Sequence, residues 1–429
     1  MALKFKEPHI IKATYRIVTP MFIGDAEQNA TGISPQSVKG TLRFWWRALM
    51  WGKIRTNERF NTDNLALKEL HKQEAELFGS TPDEKTQIGG QGRFSLRVDF
   101  TQEPKTIRVN DIQGAGLSYF LGIGLSREGT RCALATGQTF QVNLTSFNLK
   151  DQQANLIKTL MLFGLVGGLG SRVRKGWGSV TLESLTVGSE AIDIPQDINT
   201  YQAWLKTLVN EQTLSQLPPF TAFSTKTRID ISCVANSPTT TQSLLNEVGE
   251  EQQFYRSYGL KNNNDPEHKV YGKLAEQNFP QDHDLVKGII EYREQTNQIP
   301  RRSIFGLPHN YFYSSLFKKY KQEELNKEKN ENEAKRIAGS KSKAEFAPAA
   351  ENKSRRASPL FIHAHQFPDK SVTIVQTLIP SVFLPNNTSL QYSMGKRDQD
   401  KIKVAFQESM LDWQDITNYL NRFPEKETI

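Results

Sequence analysis

The residues best equipped for chemistry lie in one run, GGLGSRVRKGWGSV, from Gly167 to Val180. Five glycines surround Arg172, Arg174 and Lys175 there, with Ser171 among them and Trp177 near the end. Glycine permits positive φ and close backbone approach, so main-chain N–H groups around Gly168, Gly170 and Gly176 would reach phosphate oxygens while the three cations neutralise them. The indole of Trp177 would stack on a base. The competing reading is a glycine-rich turn that feeds an edge strand, with its cations in water. A dinucleotide or P-loop site is excluded, because those motifs open a helix after a strand and this run follows a helix and precedes a strand.

A second set lies upstream, where Lys39, Arg43 and Arg47 recur at i, i+4 and i+8, with Trp46 beside them. That spacing lines cations along one helix face, where they track successive phosphates or simply face solvent. Trp46 is a candidate stacking platform, and core packing is the alternative for it. Further cations, Arg301, Arg302, Arg355 and Arg356, sit in a third basic segment and complete the candidate polyanion contacts.

Groups for catalysis are sparse. His9 opens a strand, and His363 and His365 alternate along another, which suits a structural role. Asp25 follows the first strand beside Gly24; a metal-assisted cut would need such a carboxylate poised near a scissile phosphate, and ordinary loop solvation accounts for it equally. Cys132 and Cys233 are far apart, with no second Cys or His at ligand spacing, so neither zinc nor a disulfide framework is expected. The expectation is no catalytic residue, no metal and no cofactor.

The elements that must position these groups follow from periodicity. His9 to Val18 alternates as a half-buried strand, and Ser34-Pro35 supplies an N-cap and first helical position for a helix to about Trp51. On it Val38, Leu42, Trp45 and Leu49 form a core stripe. Helix Leu65 to Phe78, strands Arg93 to Phe100 and Gln138 to Phe147, helix Asp151 to Val166 and strand Ser179 to Val187 complete a β-α-β-β-α-β order. That order is the split βαβ, ferredoxin-like (RRM-like) unit. The fold class is therefore α+β, with a first such domain over 1–188, a connector over 189–219 and a second over 220–429. In the second, Phe220 to Val234 and Ser371 to Leu378 are expected as strands, and Ser243 to Tyr258, Asp284 to Gln295 and Lys401 to Asn421 as helices. Residues 317–358, rich in Lys and Glu and poor in large apolar side chains, form an insertion, partly helical or disordered.

At 429 residues the chain has room for about two or three cores. No uncharged apolar run approaches the roughly 18 residues of a membrane span, and Met1 to Pro8 lacks the apolar core of a secretory signal, so a cytoplasmic location with no membrane partner is expected. The net charge of +8 is unevenly spread: Met1 to Arg59 holds ten basic and four acidic residues, whereas Ser179 to Pro300 holds nine and sixteen. Positive charge gathers at three places, leaving an acidic middle to face away from a polyanion or to meet a basic partner.

With these residues in view, the glycines 170, 176 and 178, set between a helix and a strand, resemble the glycine-rich loop of the RAMP superfamily. The block SPQSVKGTLRFWWRALMWG, Ser34 to Gly52, is similar to the first-helix signature of one RAMP family, the first subunit of the Cmr (type III-B CRISPR) effector. The phrases IFGLP, Ile304 to Pro308, and RRASPL, Arg355 to Leu360, also look like that family's C-terminal part. The resemblance implies two ferredoxin-like domains and a structural, non-enzymatic subunit in antiviral defence. It also implies contact with the 3′ region of a guide RNA and its paired target RNA, beside other RAMP subunits. A RAMP endoribonuclease that processes guide RNA or cuts target RNA is the alternative, and a scaffold whose basic faces meet an acidic protein is a third.

Overall fold

Alternation makes β1, His9–Ile17, a strand with one buried side: Ile11, Ala13, Tyr15 and Ile17 are buried while Lys12 is exposed. The computed structural model describes residues 7–81, 90–126, 131–233, 240–257, 269–327, 329–349, 355–385, 387–395, 398–423 and 426–429. Val234 and Tyr258, the ends of two expected elements, lie outside these residues, as do 1–6 of the amino terminus and 328 and 350–354 of the expected insertion.

Helix α1, Pro35–Arg55, starts where Ser34 Oγ accepts the Ser37 N–H at 3.2 Å and Pro35 needs no acceptor. It buries Val38, Leu42 and Trp45, and Lys53 and Arg55 in its last turn suit the negative end of the helix dipole. Then come α2, Asp63–Phe78, β2, Ser95–Phe100, β3, Thr139–Ser146, α3, Gln153–Val166, and β4, Val180–Val187. Their sheet runs β2-β3-β1-β4, extended by the two-residue strand Glu190–Ala191, and every pairing is antiparallel. Helices α1 and α3 lie on the side where β1 buries Tyr15, whose hydroxyl donates to the Leu160 carbonyl at 2.9 Å.

A second four-stranded antiparallel sheet has the same order of strands. It is built from β5, Arg228–Cys233, β6, Leu360–Gln366, β7, Val372–Leu378, and β8, Lys426–Thr428, arranged β6-β7-β5-β8. Two further helices precede and follow β5: α4, Ile198–Asn210, and α5, Thr241–Tyr255. Leu244, Leu245 and Val248 of α5 share a core with Ile362, Ala364 and Ile374. The architecture is mixed α/β with antiparallel sheets.

The elements gather into two compact units, which divide the chain otherwise than at 188 and 219. One comprises Met1–Glu251, Leu360–Ser381 and Phe423–Ile429; the other comprises Gln252–Pro359 and Val382–Arg422. The first unit holds both sheets just described, because β6 and β7, although distant in sequence, pair with β5. The second unit has a four-stranded sheet of His309–Phe312, Lys343–Pro348, Ser389–Ser393 and Lys401–Ala405.

Several expectations change. The stretch 189–219 contains α4, started by a reciprocal capping box between Asp197 and Thr200. Only Arg228–Cys233 of the expected strand from Phe220 is extended, because Ser224 and Thr227 close a turn through two mutual hydrogen bonds of 3.0 and 3.1 Å. Lys401–Ala405 is a strand and not a helix, since Ile402 and Val404 point inward at a period of two; the helix spans only Gln414–Leu420. The Lys/Glu-rich insertion takes the helical of its two expected forms, a hairpin of Ser314–Leu325 and Glu331–Lys341, and adds the unexpected strand Lys343–Pro348.

Candidate nucleic-acid interface

The glycine loop leaves α3 at Val166 and is sewn tightly to its surroundings. Leu169 N–H donates to Gly178 O at 2.9 Å, Ser171 N–H to Phe22 O at 2.8 Å, Lys175 N–H to Arg172 O at 2.8 Å, and Gly178 N–H to Pro20 O at 3.0 Å. Thr19 Oγ1 donates to Gly176 O at 2.6 Å, and Ile362 N–H to Arg174 O at 3.2 Å. At Gly178, with φ +66°, a Cβ would collide with the Leu169 carbonyl, so the weave itself demands glycine. The N–H groups of Leu169, Ser171, Lys175, Gly176 and Gly178 are thereby consumed by the chain's own carbonyls, which takes these five out of the expected main-chain phosphate cradle. Gly168 and Gly176 are buried and serve the weave, whereas Gly170 is exposed and Ser171 half-buried.

What the loop presents is its side chains. Arg172, at φ +63°, is exposed at the turn and lies against Gly122. The Arg174 guanidinium sits 4.2 Å from the centre of the Phe361 ring on β6 and 5.8 Å from that of Phe44 on α1. Lys175 Nζ is 5.2 Å from the Phe120 ring centre. These cation–π contacts hold Arg174 and Lys175 in place. Between the loop and α1 lies a cleft of about 420 Å³, walled by Gly40, Thr41 and Phe44 on one side and Gly170, Val173 and Arg174 on the other. Arg174 is the one charged side chain among its lining residues.

The other expected contacts are distributed differently. Arg43 Nε and Arg47 meet Glu74 Oε1 of α2 at 2.7 and 3.2 Å, and this carboxylate is buried. Lys39 is half-buried 5.8 Å from the Phe94 ring centre, and desolvation, then the nearby Arg43 charge, pull its pKa below the usual lysine value. Trp46 and Trp177 are both fully buried, edge-on to Phe78 and Phe22, so neither ring has a face open to a base; both are corrected from stacking platforms to core residues. Arg301 pairs with Asp415 and Arg302 with Asp282 at 3.1 Å, each carboxylate being buried. Arg356 donates to Val382 O at 3.1 Å over the Phe383 ring, while Arg355 is exposed. These four belong to the second unit.

His363 Nδ1–H donates to Gly167 O at 2.7 Å, and its Nε2 lies 3.4 Å from His365 Nδ1. Burial pushes His363 down to about 4, against a partly opposing pull from the Gly167 bond, and carries His365 well below 6.5. Both imidazoles are neutral and out of reach of a bound polymer. Asp25 Oδ1 accepts the N–H groups of Glu27 and Asn29 at 3.0 and 2.9 Å, fixing a turn. Among the described residues no three His, Cys, Asp or Glu side chains come together as a metal site, and no helix is long and apolar enough to cross a membrane.

Sequence reasoning missed Phe44, Phe361, Gly40 and Glu74. Glu74 carried a signal, a carboxylate on the apolar face of α2 between Leu70 and Leu77. Phe44 stands one residue off the core stripe. Phe361 carried none, because it reaches the cleft only through tertiary packing.

Residues 14–181 match the model of the RAMP superfamily, from β1 to the first residues of β4, and so include both walls of the cleft contributed by α1 and the loop. Within that class, the chain resembles the first subunit of the Cmr complex. It is 28% identical over 152 residues to CRISPR system Cmr subunit Cmr1-1 of Pyrococcus furiosus, covering 34% of this chain and 39% of that protein. With Cmr subunit Cmr1-2 of the same organism it shares 27% identity over 196 residues, 39% of this chain and 92% of the relative. The crystal structure of Cmr1 from Pyrococcus furiosus in its apo form aligns over 98% of both chains with a TM-score of 0.53 and 15% identity, a likeness of fold.

Proposed function

We propose that this chain is an RNA-binding structural subunit of a type III-B CRISPR effector complex. It holds the 3′ region of the guide and its paired target RNA in the cytoplasm, beside other RAMP subunits, and does not cut. The observation that carries this reading is the cationic rim of Arg172, Arg174 and Lys175 on a rigid loop beside the α1 cleft, inside the residues that match the RAMP model. The names of the relatives, both Cmr subunits, support its place in such a complex. The shared strand order of the two sheets supports two ferredoxin-like repeats, the second interrupted after α5 and again after β7. Base pairing between guide and target would supply sequence information while the protein grips backbone. The burial of His363 and His365 and the turn-capping role of Asp25 favour binding over cleavage. The acidic stretch Ser179 to Pro300 turns from RNA or meets a basic neighbour subunit.

The test is a titration of end-labelled single-stranded RNA at several salt concentrations, with a denaturing gel on every sample. Substituting Arg172, Arg174 and Lys175 together by alanine is expected to flatten the logarithmic salt slope by about 2, near 0.7 per lost phosphate contact. Coincident slopes would remove the loop as the site, and cleaved RNA would replace binding by endoribonuclease activity.

A further inference from the structure

We infer that the open face of the second unit's four-stranded sheet is a separate platform for single-stranded RNA, with a base on Phe312 and phosphates on Lys343 and Lys403. This rests on the RNA-binding reading, and it concerns residues outside those that match the RAMP model. The strands His309–Phe312, Lys343–Pro348, Ser389–Ser393 and Lys401–Ala405 lie side by side in sequence order, every pairing antiparallel. Alternation sends Phe346, Tyr392 and Ile402 into the core. Residues directly opposite one another share a face, and on the other face the register sets Phe312 beside Lys343, Asn310 beside Glu345, and Gln391 beside Lys403. Phe312, Lys343, Glu345 and Lys403 are exposed there, and Gln391 and Lys401 on the third and fourth strands are half-buried, so this side of the sheet is open. Arg301 and Arg302 of the same unit are instead tied to Asp415 and Asp282.

The chemistry of the face selects the occupant. Phe312 is 57% exposed and is braced by Phe317 of the helical hairpin, with ring centres 5.8 Å apart. Beside that ring the face offers amides and charges, which do not make the apolar, water-excluding centre of a protein interface. Lys343, Lys401 and Lys403 outnumber Glu345, the balance a polyanion requires. A duplex presents no free base to Phe312, whereas a single strand supplies a π-face for the ring and phosphates for the lysines. Three strand spacings of about 4.8 Å separate the strand of Phe312 from that of Lys403, about 14 Å, a span on which four-stranded sheets stack two or three bases. Between the two lysines, Glu345 accepts from base N–H groups, while the Asn310 and Gln391 amides both donate and accept.

The test uses the full chain, as wild type and with Arg172, Arg174 and Lys175 all replaced by alanine, so that binding left after the loop is disarmed can be read. Oligouridine carrying 4-thiouridine is photocrosslinked to each and mapped by mass spectrometry, and filter binding is followed across salt. Crosslinks at Phe312 are expected in both. In the loop variant, Phe312→Leu should abolish them and weaken the remaining binding about tenfold, the loss of one stacked base, whereas Phe312→Tyr should keep both. Lys343→Gln together with Lys403→Gln should lower the salt slope by about 1.4, near 0.7 per phosphate contact. All three positions are exposed, and equal urea midpoints check that the fold is intact. Loss of all binding in the loop variant, or wild-type crosslinks confined to the loop with a slope indifferent to both lysines, would overturn the platform and leave the functional reading standing. Polyglutamate that displaces the RNA from Phe312 as well as unlabelled oligouridine does would assign the face to an acidic protein, and this too overturns it. If wild type binds no RNA, the functional reading falls and this inference with it.

Discussion

The Arg174 guanidinium rests 4.2 Å from the centre of the Phe361 ring, tying a residue of the glycine loop to a strand from the far end of the chain. The Arg174 carbonyl also accepts the Ile362 N–H at 3.2 Å, so backbone and side chain are located by the same strand. A cation held this way has already lost much of its rotamer freedom before ligand arrives, which lowers the cost of binding.

Arg174→Ala should therefore weaken single-stranded RNA binding and reduce the salt slope by about 0.7, one phosphate contact. Arg174→Lys keeps the charge but loses the planar stack on Phe361, so its slope should match wild type while affinity falls. Phe361→Leu should behave like the lysine variant, because it removes the ring that positions the cation and leaves the cation itself. Filter-binding isotherms across salt separate the three.

One carboxylate, Glu74, faces two guanidiniums, Arg43 and Arg47. The group retains about one net positive charge, so replacing both arginines by alanine should lower the salt slope by about 0.7, as for a single phosphate contact. Glu74→Gln should raise the slope by a similar amount and cost about 1–3 kcal/mol in urea unfolding, since charge-assisted hydrogen bonds in a buried setting are lost. An unchanged slope in both variants would make the whole stripe a brace between α1 and α2.

Much of the first sheet was legible because its signals are local. Alternation gave β1, Ser34-Pro35 gave the start of α1, and the glycine run marked the passage from α3 to β4. The same local reading mistook Trp46 and Trp177, since a tryptophan beside cations reads alike whether its ring faces solvent or Phe78 and Phe22. The opposing wall of the Arg174 site could not be read at all: nothing near Phe361 in the sequence says that β6 will meet the loop. The second sheet was harder for the same reason, because long stretches separate α5 from β6 and β7 from β8.

The Lys/Glu-rich insertion takes the helical of its two expected forms, with charges paired across a turn. Glu324 is buried in the hairpin and meets Lys327, Lys329 and Lys341 at 3.1, 3.0 and 2.9 Å. The three ammonium groups, Lys341 foremost, hold its carboxyl down at about 2. Glu324→Gln should loosen the packing of Ser314–Leu325 on Glu331–Lys341, seen as faster hydrogen exchange in both helices at neutral pH. In wild type the same loosening should develop only as pH falls from about 4.5 toward 2, when the carboxylate takes up its proton. Exchange as fast in wild type as in the variant would return the segment to the disordered reading.

The two buried histidines set a pH dependence of stability. His363 titrates near 4 in the folded chain and near 6.5 when unfolded, and His365 is displaced in the same direction. Between those values the unfolded state binds more protons, so the contribution is complete above pH 6.5 and is lost as pH falls toward 4. For His363 alone the loss is on the order of 3 kcal/mol across that window. His363→Asn keeps an N–H that can donate to the Gly167 carbonyl but cannot protonate, so it should flatten the decline while leaving stability at pH 7.5 within about 1 kcal/mol of wild type. Urea unfolding from pH 7.5 to 4.5 measures both curves; parallel declines would mean that other groups govern acid sensitivity.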